Sequence, residues 1–160
     1  MPQRAGIGYD IHARAAGRPL VIGGVRFESE WGLEGHSDAD VLAHAIGDAL
    51  LGAIALGDLG DHFPPGDPRW KDISSMKLLR LIRAMIEGKG AHIINVDATV
   101  VAAEPRLAPV REAMRGNIAR ALKLAGERVS VKATTNEGLG ALGRGEGVAA
   151  WAVALVEAAE

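Results

Sequence analysis

The chain has 160 residues, 20 Asp and Glu against 18 Lys and Arg, a formal net charge of −2, 21 glycines and no cysteine. A domain of this size buries roughly 70% of the surface its unfolded chain exposes, so it needs no disulfide staple, and any zinc site must be built from nitrogen and oxygen ligands. The near-neutral charge and the lack of a Lys/Arg run argue against a nucleic-acid partner, and with no apolar stretch of about 18 residues the chain reads as soluble and cytoplasmic, with no membrane partner.

Arg4 to His12 reads as a first strand and Pro19 to Phe27 as a hairpin that turns at Gly23-Gly24. Ser37 is placed to cap a helix predicted over Val41 to Leu56 and ending near Gly57, with Asp38 and Asp40 in its electropositive first turn. Asp58 to Ile73 has no hydrophobic period and contains three prolines. So long a loop in a compact domain is functional or disordered, and Phe63 and Trp70 favour an ordered loop that covers substrate. A second helix starts at Ser74, presents Leu78, Leu79, Leu81, Ile82, Met85 and Ile86 as its apolar face, and stops at Gly88 and Gly90. Ile93 to Ala102 is a strand apolar enough to be covered on both sides. Pro109 to Leu124 is a third helix, and Val129 to Thr134 a strand with Val129, Val131 and Ala133 facing inward. After the glycine-rich stretch Gly138 to Gly147, the Ala-rich segment Val148 to Val156 is compatible with helix or strand; its place behind a glycine loop, and the need to complete a sheet, favour strand. The alternation predicts one α/β sandwich domain over residues 1–160, a mixed sheet with helices packed on one face.

Two residue clusters carry chemistry. Asp10 and His12, two apart on a strand, point to one face, and Asp40, His44 and Asp48, four apart on a helix, form a stripe in otherwise apolar surroundings. If strand and helix pack together, Asp10, His12 and His44 supply three ligands and leave a fourth position open, the pattern of a catalytic zinc; Asp48 is then a partner that orients an imidazole. The alternative for the same residues is a set of buried, hydrogen-bonded side chains. The second cluster, Lys132-Ala133-Thr134-Thr135-Asn136-Glu137-Gly138, joins a strand end to exposed amides, two hydroxyls and a lysine, which suits a phosphate, unless it is an ordinary capped turn. Glu137 fits beside a phosphate only with a hard cation such as Mg²⁺ between them. Carboxylates in one cluster and anion-binding groups in the other point to metal-assisted phosphoryl transfer. A zinc hydrolase using Asp48 or Asp58 as its base is the competing enzyme class.

Ile-Gly-Tyr-Asp-Ile-His (7–12), Ile-Gly-Gly-Val, His-Ser-Asp-Ala-Asp-Val-Leu-Ala-His, Leu-Gly-Asp-Leu-Gly, Lys-Ala-Thr-Thr-Asn-Glu and Gly-Arg-Gly-Glu-Gly, in one register from Arg4 onward, resemble the 2-C-methyl-D-erythritol 2,4-cyclodiphosphate synthases. The resemblance implies a homotrimer whose sheets face the threefold axis, with active sites between subunits. The small-molecule substrate would be 4-diphosphocytidyl-2-C-methyl-D-erythritol 2-phosphate, cyclised with release of CMP in the non-mevalonate route to isoprenoid precursors. By position it implies Asp10, His12 and His44 as ligands of Zn²⁺ or another divalent transition metal, and Glu137 as the ligand of a Mg²⁺ or Mn²⁺ that bridges the diphosphate. His36 and Thr135 take the place of transition-state stabilisers, and Ser37 that of a substrate contact. Asp58, Leu59 and Gly60 approach the erythritol hydroxyls, with Phe63 and Asp67 in the loop beyond. Ala102, Ala103, Glu104, Pro105 and Arg106, with Ala133, Thr134 and Thr135, form the cytidine pocket. Pro65 and Gly66 replace an Asp and a Thr of the usual loop, and Ala141 a common Phe. Arg144 and Glu146 match residues lining the trimer axis, either as ligands for an isoprenoid diphosphate or as a structural ion pair. A non-catalytic trimer that only holds an isoprenoid diphosphate is the runner-up reading.

Overall fold

The computed structural model describes residues 1–159. Strand β1 (Gln3–Ala16) is followed by the short strands β2 (Leu20–Ile22), β3 (Val25–Phe27) and β4 (Trp31–Leu33). Helices α1 (Val41–Ala53), α2 (Leu59–His62) and α3 (Ser75–Gly88) come next, then β5 (His92–Val101), α4 (Arg111–Leu122), β6 (Val129–Thr134), α5 (Gly140–Gly143) and β7 (Gly147–Glu157). The main sheet runs β4-β1-β7-β5-β6. Only β5 and β6 pair in parallel, which the crossover through α4 permits; the other neighbours are antiparallel, so the sheet is mixed. No helix among the described residues is long and apolar enough to cross a membrane.

Alternation along β1 decides where the helices sit. Even positions Gly6 and Gly8 are buried beneath α1, while odd positions Ile7, Tyr9 and Ile11 stand exposed on the opposite face. A Cβ on Gly6 would lie 1.9 Å from the Ala49 carbonyl oxygen, and one on Gly8 1.8 Å from that of Ala45. Helix and strand therefore touch backbone to backbone, and the buried alanines of β7, Ala150, Ala152 and Ala154, extend this flat seat. Leu42, Ile46 and Leu50 on α1, Leu79, Ile82 and Ile86 on α3, and Met114 and Ile118 on α4 fill the layer between sheet and helices. Burial of each such side chain stabilises the fold by about 1.5–3 kcal/mol.

The hairpin turns at Gly23 and Gly24 as expected; their φ values of 59° and 71° fit the tight two-residue turn that glycine allows. Several boundaries differ from the sequence reading. β1 runs four residues past His12, and β4 is too short to show a period. α1 stops at Ala53 rather than Leu56, and its cap is Asp40, not Ser37. Asp40 wins because it meets three donors at once: Ala43 N–H at 3.1 Å, Gly23 N–H at 2.8 Å and Gly24 N–H at 2.7 Å. It thereby pins the hairpin to the helix. Burial and the like charge of Asp38 still push its carboxyl up to about 6, against the pull of those three bonds. Leu81 is 40% exposed and does not belong to the apolar face of α3. The third helix begins at Arg111, after a single 3₁₀ turn over Ala108–Val110. β5 is covered on one side only in a single chain: Val96, Ala98 and Val100 are buried, while Asp97 and Thr99 lie on the open face. The loop from Asp58 to Ile73 is ordered by α2 and a 3₁₀ turn over Pro68–Trp70.

Candidate metal centre and active site

The alternation that buries Gly6 and Gly8 puts Asp10 and His12 next along the same face of β1, where the first turns of α1 present His44. One ligand atom from each of the three lies within 4.8 Å of the others. His12 Nε2 is 2.7 Å from Asp10 Oδ2, and His44 Nδ1 is 3.1 Å from both. Tetrahedral ligands about 2.0–2.2 Å from a zinc ion are about 3.3–3.6 Å apart, so a small outward relaxation would admit the ion. The remaining ring nitrogens are also engaged. His12 Nδ1 donates to the Glu34 carbonyl at 2.6 Å, and His44 Nε2 lies 3.0 Å from Ser37 Oγ and 2.9 Å from Ser75 Oγ. Two imidazoles held at their outer nitrogens beside a carboxylate fit a divalent metal.

The site's electrostatics follow from this geometry. Burial alone would raise the Asp10 carboxyl, but the bonds and charges of His12 and His44 outweigh it and hold the group at about 2. Burial lowers the His12 imidazolium while Asp10 raises it, and the net shift is upward. Asp48 is raised, mainly by burial.

These side chains open into a cavity of about 370 Å³ lined also by His36, Asp48, Asp58, Leu59, Gly60 and Phe63, all anticipated from sequence, by Pro65 and Trp70 of the predicted covering loop, and by Leu78, expected only as part of a helix's apolar face. Trp70 meets Phe63 edge to face at 5.0 Å, and His36 Nε2 lies 2.9 Å from the Asp67 carbonyl, so the loop folds over the cavity mouth. Asp67 itself turns to Arg69 at 2.7 Å. Two anticipated roles change. Asp48 does not hold an imidazole; its Oδ1 accepts from Leu59 N–H at 2.8 Å and fixes the start of α2, whose cap is Asp58. Ser37 caps no helix; it stands in the cavity wall, nearly buried, with its hydroxyl against His44 while accepting from Ala39 N–H. The imidazole is steadied by Ser37 and Ser75; Ser75 was not anticipated, its one mark in the sequence being its place beside Ser74 at the start of an amphipathic helix.

The second predicted cluster lies apart from the first in a single chain. Ala102, Ala103, Pro105, Arg106, Ala133, Thr134 and Thr135 line a separate cavity of about 170 Å³. Glu104 instead borders a third hollow with Arg144 and Trp31. Lys132 leaves the expected phosphate cradle for the open sheet face, where it pairs with Asp97 at 2.8 Å. Ala133 is exposed rather than inward-facing. Glu137 is exposed with φ 53°, its N–H donating to Thr135 Oγ1, and it lines neither the metal cavity nor the cavity at Thr135. Arg144 pairs with Glu146 of its own chain at 2.6 Å.

Comparison with known proteins gives these features a context. The 2-C-methyl-D-erythritol 2,4-cyclodiphosphate synthase of Moorella thermoacetica is 58% identical over 153 residues, covering 96% of this chain and 94% of that protein. Among solved structures, the bifunctional IspDF of Campylobacter jejuni superimposes with a TM-score of 0.94 at 40% identity, covering 99% of this chain and 43% of that one. The CDP complex of IspF from Plasmodium falciparum superimposes with a TM-score of 0.85 at 32% identity, covering 99% of this chain and 97% of that one. The YgbB family matches residues 3–157, nearly the whole of the described fold, and the chain belongs to that family.

Proposed function

We propose that this chain is a cyclodiphosphate synthase that converts 4-diphosphocytidyl-2-C-methyl-D-erythritol 2-phosphate to 2-C-methyl-D-erythritol 2,4-cyclodiphosphate and CMP. It would act in the cytoplasm, in isoprenoid precursor synthesis. The observation that carries this reading is the convergence of Asp10, His12 and His44 on the floor of an open cavity, in a chain 58% identical to a synthase of that name.

In the reaction a 2-phosphate oxygen attacks the β-phosphorus, a new P–O bond closes the ring, and the bond to the α-phosphate breaks with its electron pair leaving on CMP. The 2-phosphate has a second pKa of about 6 and is largely dianionic at neutral pH, so no general base is required. That agrees with a cavity whose carboxylates are otherwise committed: Asp48 and Asp58 hold the backbone of α2 instead of facing each other as an acid/base pair. The residues are left with positioning and charge compensation, which dominate phosphoryl transfer. A divalent ion held by Asp10, His12 and His44, zinc being the best match to the ligand set, would neutralise charge on the β-phosphate. A second ion, Mg²⁺ or Mn²⁺, would be held through Glu137. His36 and Thr135 would stabilise the transition state, Ser37 would contact the substrate, residues 58–60 would approach the erythritol hydroxyls, and residues 102–106 and 133–135 would hold cytidine.

Asp10, His12 and His44 border one cavity, Thr135 another, and Glu137 neither. A complete site therefore needs a neighbouring copy to bring its 133–137 segment to the metal cavity. The exposed Ile7, Tyr9, Ile11, Trp151 and Val153 on the helix-free face of the sheet support a homotrimer closed around that face. An isoprenoid diphosphate on the trimer axis would first have to draw Arg144 away from Glu146.

Metal-loaded protein given the substrate should release CMP and cyclic diphosphate in equal amounts, followed by ³¹P NMR. Metal-replete trimer that yields neither would overturn the assignment.

A further inference from the structure

We propose that Asp38 and Ser75 are positioning residues that fix His44 as the Nε2–H tautomer and so present its Nδ1 lone pair to the metal. The inference rests on the reading of Asp10, His12 and His44 as a metal clamp, and it follows from counting protons. Ser75 is fully buried at the first residue of α3. Both oxygens of Asp38 accept backbone N–H groups, Oδ2 from Ser75 at 2.9 Å and Oδ1 from Asp40 at 3.2 Å, as a carboxylate does. The Ser75 hydroxyl also contacts Asp38 Oδ1. A carboxylate only accepts and a hydroxyl has one proton, so Ser75 must donate to Asp38. What Ser75 Oγ then offers His44 Nε2, 2.9 Å away, is a lone pair, and Nε2 must carry the hydrogen. Ser37 Oγ, 3.0 Å from the same nitrogen, keeps a free proton and fits either tautomer. The Ser75 hydroxyl, oriented by Asp38, decides at Nε2; at Nδ1, 3.1 Å from Asp10 Oδ2, a metal would take the place of any proton the carboxylate holds there, and the lone pair is then the metal's.

The consequence is a matched pair of imidazoles. His12 has its outer nitrogen fixed by the Glu34 carbonyl and turns Nε2 inward; His44 has its outer nitrogen fixed by Ser75 and turns Nδ1 inward. The same Asp38 satisfies the first amide of α3, whose N-cap Ser74 makes no side-chain cap bond, so the start of α3 and the orientation of His44 are set by one carboxylate.

Two measurements test this. In metal-free wild-type protein at pH about 8.5, where an ordinary histidine is neutral, long-range ¹H–¹⁵N correlation should show a proton on His44 Nε2, whether or not Asp10 also holds one on Nδ1; a ring protonated on Nδ1 alone overturns the proposal. In zinc titrations monitored by calorimetry, Ser75→Ala and Asp38→Asn should each weaken binding by about 10–100-fold while circular dichroism reports a folded chain. Asp38→Asn retains an oxygen for the Ser75 amide, which protects the helix start. Wild-type protein that binds zinc alongside variants that bind it equally well overturns the relay. Wild-type protein that takes up no zinc instead overturns the metal reading and leaves the tautomer to decide the relay.

Discussion

Asp10 and His12 hold each other's charges, and the pH dependence of that pair is fixed in sign. The Asp10 carboxyl lies at about 2, below its unfolded value of 3.8, so its contribution to stability is present above about pH 4 and lost as pH falls through 2. His12 is raised above 6.5, so its contribution is present below 6.5 and lost as pH rises through the folded value. Metal-free protein should accordingly be most stabilised by this pair between about pH 4 and 6.5, the Asp10 share being on the order of 1–2 kcal/mol after screening. Urea unfolding across that range checks it. A metal must displace the His12 proton, so zinc affinity should rise with pH until the raised His12 value is passed and level off above it, and calorimetry at or below about pH 6.5 in buffers of different ionisation heat should register proton release. Uptake of protons, or none exchanged, would show that His12 is not a ligand.

The contact between β1 and α1 does for elements what those bonds do for residues. Gly8→Ala would put a methyl group 1.8 Å from the Ala45 carbonyl oxygen, so the helix must lift and carry His44 away from Asp10 and His12. The variant should lose about 1–3 kcal/mol of stability through overpacking and bind zinc more weakly than wild type, whereas Gly88→Ala, with open space around it, should leave binding unchanged. Equal zinc affinity in Gly8→Ala would show that the close approach is not what sets the site. How much of this was legible in the sequence depended on the range of the interactions. Period announced the amphipathic helix at Ser75, an unbroken apolar run announced β5, and position behind a glycine loop rather than period decided the Ala-rich β7 for strand; Asp10, His12 and His44 stood out by their spacing on a strand and in an apolar helix. The choice of Asp40 over Ser37 as cap was hidden, since both are good caps and the donors that decide it come from a hairpin 16 and 17 residues away. The place of Ser75 against His44, 31 residues apart, was hidden for the same reason, and β4 has only three residues, too few for alternation to register.

At the scale of the molecule, the open sheet face separates two properties that a single chain otherwise mixes. Ile7 is 73% exposed there, opposite the helices, so Ile7→Arg should cost an isolated chain little. In a trimer it would bring three cations together at the axis. Sedimentation velocity should find this variant monomeric, with zinc still bound because the clamp lies within one chain, and with CMP release abolished because the 133–137 segment no longer reaches a neighbour's cavity. A monomer that still turns over would show that one copy suffices. On the trimeric reading, the distance between the two cavities of one chain also has a meaning for inheritance. An allele damaged at the metal clamp and another damaged near Thr135 each spoil a different half of the shared site, so chains of both kinds in one cell would assemble some intact sites, and two recessive lesions would complement.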